Sequence, residues 1–258
     1  MGRVIAITNQ KGGVGKTTTA INLACCLSEA EQRVLLIDFD PQANSTSGLA
    51  AHLEKDGEGS IYDLLCGNMK TEECLYKDVL PGLDFIAADM DLSGVEAEFQ
   101  ELPDMDVRLK NITDSLRDDY DYIFIDCPPS ISVLTVNALT AADSVIIPIQ
   151  CEYYALEGLN QLLRLVGLVR KKMNPELYVE GVLFTMYDQR TRLSEQVVES
   201  VKENLDEPIF ETLIPRNVRL AEAPSYGEPI SIYDPSSRGA ESYRMLAAEL
   251  MDREGGSY

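Results

Sequence analysis

The sequence has no tryptophan, a single histidine and few basic residues for its length. Its 258 residues include 22 Lys and Arg against 43 Asp and Glu, which gives a formal net charge of −21. This excess of negative charge argues against a protein that binds nucleic acid or an anionic membrane through its overall charge. Any anion that binds this chain must therefore be held by a local arrangement of donors and cations.

Signals for zinc sites, secretion and membrane insertion are also scarce. The only histidine, His52, lies in a polar stretch, and the six cysteines form no C-x-x-C pair. Neither a zinc cluster nor a Ser-His-Asp triad is therefore expected. No apolar run approaches the ~20 residues of a membrane span, and the start of the chain lacks the apolar stretch of a signal peptide. We expect a cytoplasmic protein with reduced cysteines and no membrane association.

Short apolar runs alternate with helical patterns along the chain. Several of these runs are continuous, which is typical of strands that are covered on both faces and hence of a mostly parallel sheet. The alternation predicts a doubly wound α/β fold with helices flanking the sheet, and residues 1–258 are expected to form a single domain. The predicted strands are 3–9, 33–39, 83–87, 121–126, 143–149, 178–185 and 209–214, and helices are predicted after residue 15 and near 105–118, 132–141, 155–172, 191–205 and 240–252.

The most specific feature is a glycine-rich segment, KGGVGKTT, directly after the first predicted strand. Gly15, Lys16 and Thr17 match the second half of the phosphate-binding pattern G-x-x-x-x-G-K-[ST], but position 10 is Gln where the pattern has its first glycine. At a helix N-terminus, backbone N–H groups and the Lys16 ammonium hold phosphate oxygens, and the Thr17 hydroxyl can ligate Mg²⁺. The segment therefore predicts a nucleotide site with Mg²⁺. Its predicted cofactor-binding residues are Lys11, Gly12, Gly13, Val14, Gly15, Lys16, Thr17 and Thr18.

Acidic residues at the ends of two other predicted strands complete this site. The carboxyl end of a parallel strand brings Asp126 beside the phosphate loop, near Mg²⁺ through a water molecule. Asp38 and Asp40 end another strand and enter PQANSTSG, a small polar segment suited to sensing the γ-phosphate. Asp38 is a further candidate for water-mediated contact with Mg²⁺, and capping of a turn is an equally good interpretation of it. Lys11 stands five residues before Lys16, which leaves it free to serve another subunit.

With KGGVGKTT, LLIDFDPQ and IDCPPS in this order, the chain resembles the ParA/MinD superfamily of P-loop ATPases with a deviant Walker A motif. The segments LFTMYDQRT (183–191) and LIPRNVRLAEAPSYGEPI (213–230) make it most similar to the ParA-type, Soj-like partitioning ATPases. The resemblance implies an ATP-dependent dimer in which Lys11 reaches the partner's nucleotide and Gly12 lies where the two loops meet. It also implies that Pro215 and Asn217 lie against the adenine. The implied catalytic residues are Lys11, Lys16 and Asp40, the last positioning the attacking water.

The same resemblance implies that the ATP-bound dimer binds duplex DNA without sequence preference. A ParB-like (Spo0J-like) partner would then stimulate hydrolysis and release the DNA, which gives a nucleoid-associated protein. Arg190 and Arg219 match family positions used for DNA contact. Residues 164–219 contain nine basic and nine acidic residues, so this stretch is neutral and the remainder carries the whole negative charge. Local DNA binding is thus compatible with an acidic chain.

Several other functions share parts of this pattern. A membrane-bound MinD-like ATPase is disfavoured, because the last predicted helix has an acidic polar face and its apolar stripe is expected to pack in the core. An iron–sulfur protein is disfavoured because it would need cysteines in a glycine-rich cluster loop, and none of the six cysteines lies in one. A GTPase is disfavoured because TMYD stands at 185–188 in place of a guanine-binding N/T-K-x-D. A small-molecule ligase or kinase, and an orphan ATPase that positions another cargo, remain open.

Overall fold

The computed structural model describes residues 1–53, 58–95, 104–152 and 155–255. They contain a seven-stranded sheet with the order β3-β4-β2-β5-β1-β6-β7. Six strands are parallel, and β3 pairs antiparallel with β4 at one edge. The strands are β1 (Arg3–Ile7), β2 (Val34–Asp38), β3 (Leu75–Leu80), β4 (Leu83–Ile86), β5 (Tyr122–Asp126), β6 (Ser144–Gln150) and β7 (Tyr178–Thr185).

Helices cover both faces of this sheet. Alternate residues of β1 enter two separate hydrophobic cores, with Val4 and Ala6 on one face and Ile5 and Ile7 on the other. Burial on both faces explains why the strand sequences are continuously apolar. The α-helices in the described residues are α1 (Lys16–Glu29), α2 (Asn44–Gly48), α3 (Ile61–Cys66), α4 (Thr71–Cys74), α5 (Arg108–Leu116), α6 (Val133–Ala141), α7 (Ala155–Lys172), α8 (Arg192–Asn204), α9 (Val218–Glu222), α10 (Ile230–Tyr233) and α11 (Arg238–Gly255).

The predicted doubly wound α/β fold is confirmed, with one strand that the sequence analysis did not find. Strand β3 mixes exposed and buried positions, so it has no continuous apolar run. The two residues Pro81 and Gly82 join it to β4, and Gly82 has a φ of +80°. Proline followed by a glycine with positive φ is the pattern of a type II turn, which reverses the chain and makes this edge strand antiparallel.

The prediction of a strand at 209–214 is wrong. This segment lies beside β7, but the pairing there consists of isolated bridges, between Val182 and Ile209 and between Tyr187 and Pro215. At its two ends, the backbone of this segment hydrogen-bonds to β7 and to the residues just after β7. The Phe210 N–H donates to the Val182 carbonyl, and the Tyr187 N–H donates to the Ile214 carbonyl. An apolar run is therefore buried here without a continuous ladder.

The apolar stripe of α11 is used inside the protein, as predicted. Tyr243, Leu246 and Leu250 are buried in the core that α1 also lines. Among the described helices, none combines the length and the apolar character that crossing a membrane requires.

The carboxyl ends of the central strands meet at one edge of the sheet. Ile7 of β1 lies opposite Asp126 of β5, and Asp126 lies opposite Asp38 of β2. The chain leaves β1 into residues 8–15, and α1 begins immediately afterwards. Strand pairing therefore brings the glycine-rich segment and both carboxylates together, although more than a hundred residues separate Lys16 from Asp126.

Candidate nucleotide-binding site

A cavity of 700 Å³ lies at this edge of the sheet. Residues 12, 13 and 15–18 line one part of it, and residues 214–218 line another. The phosphate-binding segment and the segment that is expected to contact the adenine therefore line the same cavity. Val14 is 1 % exposed and is buried beneath the loop. The predicted site residues that line the cavity are Gly12, Gly13, Gly15, Lys16, Thr17, Thr18, Asp40, Pro215 and Asn217.

The backbone of the glycine-rich segment is built for anion binding. Gly13 and Gly15 have φ values of +72° and +88°, a conformation that glycine adopts without steric cost. Gly15 is the N-cap residue of α1 and no side chain caps the helix. The N–H groups of the first turn are thereby left for a ligand, and the positive end of the helix dipole favours an anion there.

The Lys16 side chain is buried among carboxylates. Lys16 is 6 % exposed, and its Nζ lies 3.4 Å from the Lys11 carbonyl oxygen. Burial lowers the pKa of its ammonium group, whereas the charges of Asp126 and Asp40 raise it. The pKa is lowered overall, and the charges of the two acids offset only part of the cost of burying this cation.

Asp126 has one buried oxygen that no group in the described ranges hydrogen-bonds. Its Oδ2 accepts a hydrogen bond of 2.8 Å from the Ser45 hydroxyl, whereas Oδ1 has no partner among the residues that the structure describes. Burial and the neighbouring Asp38 raise the pKa of Asp126 to about 7, and the Ser45 and Thr17 hydroxyls and the Lys16 ammonium lower it. A buried, unpaired carboxylate oxygen near a threonine hydroxyl suits a water ligand of Mg²⁺.

Asp38 organises the chain after β2. Its Oδ2 accepts from both the N–H and the hydroxyl of Thr46 at 2.8 Å, and its Oδ1 accepts from the Asp40 N–H at 3.2 Å. Burial raises the pKa of Asp38 to about 6, and the bonds from Thr46 and Asp40 lower it. The interpretation of Asp38 as a turn-capping residue thus has structural support.

Asp40 lies in a tight loop at the cavity wall and is 5 % exposed. Its Oδ1 accepts from the Gln42 N–H at 3.0 Å, and its carbonyl oxygen accepts from the Ala43 N–H at 2.8 Å. Ala43 has a φ of +51°, which is a strained backbone conformation for a residue other than glycine. This strained turn holds the Asp40 carboxylate beside Lys16.

Lys11 and Gly12 are the first two residues of the glycine-rich segment. The Lys11 ammonium forms an ion pair with Glu152, and both side chains are about half exposed. A Cβ added at Gly12 would meet nothing within 4 Å, and Gly12 is outside the positive-φ region. Within one chain, neither space nor backbone conformation requires glycine at position 12.

Two residues that hold the loop in place were missed by the sequence analysis. The Thr185 hydroxyl lies 2.7 Å from the Val14 carbonyl oxygen and 3.1 Å from that of Ile149. The Gln150 amide donates to the Gly13 carbonyl at 2.7 Å. Gln150 and Thr185 end β6 and β7, so a polar residue closing an apolar strand at this edge of the sheet was the signal available in the sequence.

The two arginines expected at DNA are exposed but paired. The Arg190 guanidinium makes two hydrogen bonds to Asp188, of 2.9 and 2.8 Å, and this pairing lowers the pKa of Asp188 to about 2. Arg219 contacts Glu222 at 2.9 Å and Asp234 at 3.4 Å. The segments that carry them are joined by a hydrogen bond from the Arg216 N–H to the Tyr187 carbonyl. Both arginines thus belong to neighbouring segments of one surface.

The fold and this cavity define a P-loop protein with a deviant Walker A motif. A family profile described as an AAA domain matches residues 2–179. The chain is 54% identical to the sporulation initiation inhibitor protein Soj of Bacillus subtilis, covering 97% of this chain and 98% of that protein. It is 51% identical to the chromosome partitioning protein ParA of Myxococcus xanthus, covering 98% and 89%.

A solved structure of cobyrinic acid a,c-diamide synthase from Mycobacterium smegmatis, with bound ADP and magnesium, has a TM-score of 0.86 to this chain. The two are 36% identical, and the match covers 99% of this chain and 96% of that one. Because the family profile and the Soj and ParA relatives match most of the chain, the protein belongs to the ParA/Soj family of partitioning ATPases. The resemblance drawn from its motifs is confirmed.

Proposed function

We propose that this protein is an ATP-dependent partitioning ATPase, formed by a single domain over residues 1–258, that dimerises on ATP and hydrolyses it slowly. The observation that carries the proposal is the cavity in which the glycine-rich segment, Asp40 and residues 215–217 face one another. The Soj and ParA relatives, which match nearly the whole chain, support the assignment to partitioning.

Each side chain of the site has a role that its position supports. Lys16 and the N–H groups of the first turn of α1 hold the β- and γ-phosphates. Thr17 directly, and Asp126 through water, would hold Mg²⁺, which when bound offsets charge on the phosphate oxygens. Asp40 orients the attacking water, and Asp38 keeps the Asp40 loop in place, with a water-mediated contact to the metal as its second candidate role.

Lys11 and Gly12 are assigned to the dimer. Lys11 of one chain would reach the nucleotide of its partner, and this requires the ion pair with Glu152 to open. Exposed ion pairs contribute only about 0–1 kcal/mol, so a phosphate group can compete for the Lys11 ammonium. Gly12 would allow the two loops to approach closely, which explains a glycine where the single chain needs none.

The ATP-bound dimer is proposed to bind duplex DNA through Arg190 and Arg219, and a ParB-like partner to stimulate hydrolysis and release. Arginines on phosphates position a protein without reading bases, so binding is expected to be independent of sequence. Phosphate contacts release counterions from the DNA, so binding should weaken at moderate salt. The protein would then act in the cytoplasm, on the nucleoid.

A small-molecule ligase is the second candidate, because the structure from Mycobacterium smegmatis, at 36% identity, is named a cobyrinic acid a,c-diamide synthase. The Soj and ParA relatives are 54% and 51% identical over comparable length and favour partitioning. The two functions differ in what stimulates ATP turnover. A small-molecule substrate would stimulate the ligase, whereas DNA together with a partner protein would stimulate the partitioning ATPase.

The function is tested with the Asp40→Ala variant, which should bind ATP and hardly turn it over. Light scattering should show a monomer with ADP and a dimer with ATP and Mg²⁺. Fluorescence anisotropy at low salt should show that only the dimer binds unrelated duplexes, and Arg219→Ala should lose DNA while still dimerising. A dimer of equal strength with every nucleotide would contradict the mechanism, and a dimer that ignores DNA would indicate an ATPase for another cargo.

A further inference from the structure

One helix is basic in an otherwise acidic chain. Residues 158–175, which include most of α7, contain four basic residues and no Asp or Glu, in a protein with a net charge of −21. All four are exposed, but Arg170 bonds to the Leu177 carbonyl, which leaves Arg164, Lys171 and Lys172. We call these three, together with Leu168, the α7 basic face.

The geometry of α7 turns this face outward. Leu159, Leu162, Val166 and Val169 are buried at 2 % exposure or less and pack in the core. At 3.6 residues per turn, Arg164 and Lys171 fall on the side opposite this buried stripe, about 10 Å apart along the helix axis. The fourth basic residue, Arg170, differs because its Nε donates to the Leu177 carbonyl at 2.6 Å and so ties the helix end to the next segment.

No ion pair within the described part of the chain neutralises the cations of the α7 basic face. Among the residues that the structure describes, Arg164, Lys171 and Lys172 make no ion pair, whereas Arg190 and Arg219 are both held by carboxylates. Lysines in the last turn stabilise a helix through its dipole, which accounts for Lys171 and Lys172. That effect fades within one turn and does not account for Arg164.

We propose that the α7 basic face contacts the phosphate backbone of duplex DNA in the ATP-bound dimer, in addition to Arg190 and Arg219. The proposal rests on the proposed function and extends it by a second surface. An unpaired cation can bind a phosphate without first breaking an ion pair. This face therefore supplies electrostatic attraction to DNA that Arg190 and Arg219 cannot supply alone.

Position and composition favour DNA over an anionic membrane. Helix α7 connects β6 to β7, and Arg190 follows β7, so the α7 basic face and Arg190 both belong to the β7 edge of the sheet, with Lys171 and Lys172 before the amino end of β7 and Arg190 after its carboxyl end. Leu168, at 55 % exposure, is the one large apolar side chain on the outward side of this described helix. A helix that binds membranes needs a broad exposed apolar face, whereas the apolar face of α7 is packed in the core.

The experiment compares two charge-matched double variants in the Asp40→Ala background with ATP and Mg²⁺. Arg164→Gln/Lys171→Gln removes two cations from the α7 basic face. Lys70→Gln/Lys77→Gln removes two exposed cations at or near β3, the opposite edge of the sheet. Fluorescence anisotropy on one duplex over a series of salt concentrations gives the slope of log K against log salt for each protein.

The α7 variant should bind DNA more weakly, and its salt slope should fall by about 0.9 for each phosphate that is no longer neutralised, or ~1.8 for each protomer that touches DNA. The β3 variant should keep the parent slope, and Arg164→Lys/Lys171→Arg should keep both slope and affinity. Light scattering checks that every variant still dimerises. If the first variant does not fold, Lys171→Gln/Lys172→Gln carries the same expectation.

An α7 variant with the affinity and slope of its parent would overturn this inference and leave the proposed function intact. A parent that binds no DNA at any salt would instead remove the proposed function itself. The same proteins are titrated with phosphatidylserine vesicles. Vesicle binding that depends on Arg164 and Lys171, with DNA binding that does not, would show that the face serves a membrane and that the inference is wrong.

Discussion

At the scale of single residues, Lys16 is the cation on which we propose that nucleotide binding depends. It is buried at the base of the cavity beside Asp126 and Asp40. Lys16→Ala should weaken ATP binding by about 1.5–3 kcal/mol, which is roughly 10- to 150-fold, because hydrogen bonds to charged groups contribute that much. Isothermal titration calorimetry measures the affinity, and Lys70→Ala, an exposed lysine outside the cavity, serves as control. Unchanged affinity in Lys16→Ala would remove the central assignment.

Gly12 and Gly13 are neighbours with different requirements. A side chain at Gly12 meets nothing within 4 Å, whereas Gly13 has a φ of +72°. Gly12→Val should therefore fold and bind ATP as a monomer, because the branched side chain prevents two loops from meeting. Gly13→Val should weaken ATP binding itself, since the left-handed conformation costs a residue with a side chain about 1–2 kcal/mol. Calorimetry and light scattering with ATP separate the two effects, and a Gly12→Val dimer would contradict the expectation.

At the scale of elements, the ends of β6 and β7 hold the phosphate loop. Thr185 is 2 % exposed, and its hydroxyl bridges the carbonyls of Val14 and Ile149. Thr185→Val keeps the shape and removes this bridge, so the free energy of unfolding should fall by about 1–2 kcal/mol. That corresponds to a decrease in Tm of about 2–4 °C for each kcal/mol. Thermal unfolding measures this decrease in Tm. The control Thr185→Ser keeps the hydroxyl and should retain most of the stability. Equal decreases in both variants would exclude the hydrogen bonds as the cause.

The elements differ in how far their sequence determines them. Helix α7 has the bounds predicted from its pattern, because the apolar stripe repeats with helical period over several turns. Strand β3 and segment 209–214 were not predicted correctly, since a half-exposed edge strand has no apolar run and an apolar run can be buried without pairing. Residues Thr185 and Gln150 were missed for a related reason: their role depends on the loop that lies next to them.

At the scale of the whole molecule, the stability of the nucleotide-free protein should depend on pH through Asp38 and Asp126. Burial raises their pKa values from 3.8 to about 6 and about 7. The folded state then binds protons more tightly than the unfolded chain, so the stability that this pair contributes is complete below about pH 4 and is lost as pH rises through 6 to 7. Tm without nucleotide should therefore decrease between about pH 5 and about pH 8.

Bound Mg²⁺ competes with these protons, so the rise in Tm on adding ATP and Mg²⁺ should be larger at about pH 8 than at about pH 6. Differential scanning fluorimetry across this range measures both trends. Asp126→Asn removes one of the two titrating groups and should flatten the dependence without nucleotide. A flat profile in the parent protein would show that the pair is not responsible.

The local sequence determined the class of this protein, because a phosphate loop is contiguous. Residues 11–18 carry the glycines, the lysines and the hydroxyls in one contiguous segment. The apolar pattern on either side of this segment identified the strand and the helix that position it. Tertiary structure alone decided which distant groups meet. Strand register set Asp126 opposite Asp38, and the order of β6 and β7 brought Thr185 to Val14. Contacts of this kind depend on how the strands are ordered and aligned, which residue spacing along the chain does not specify.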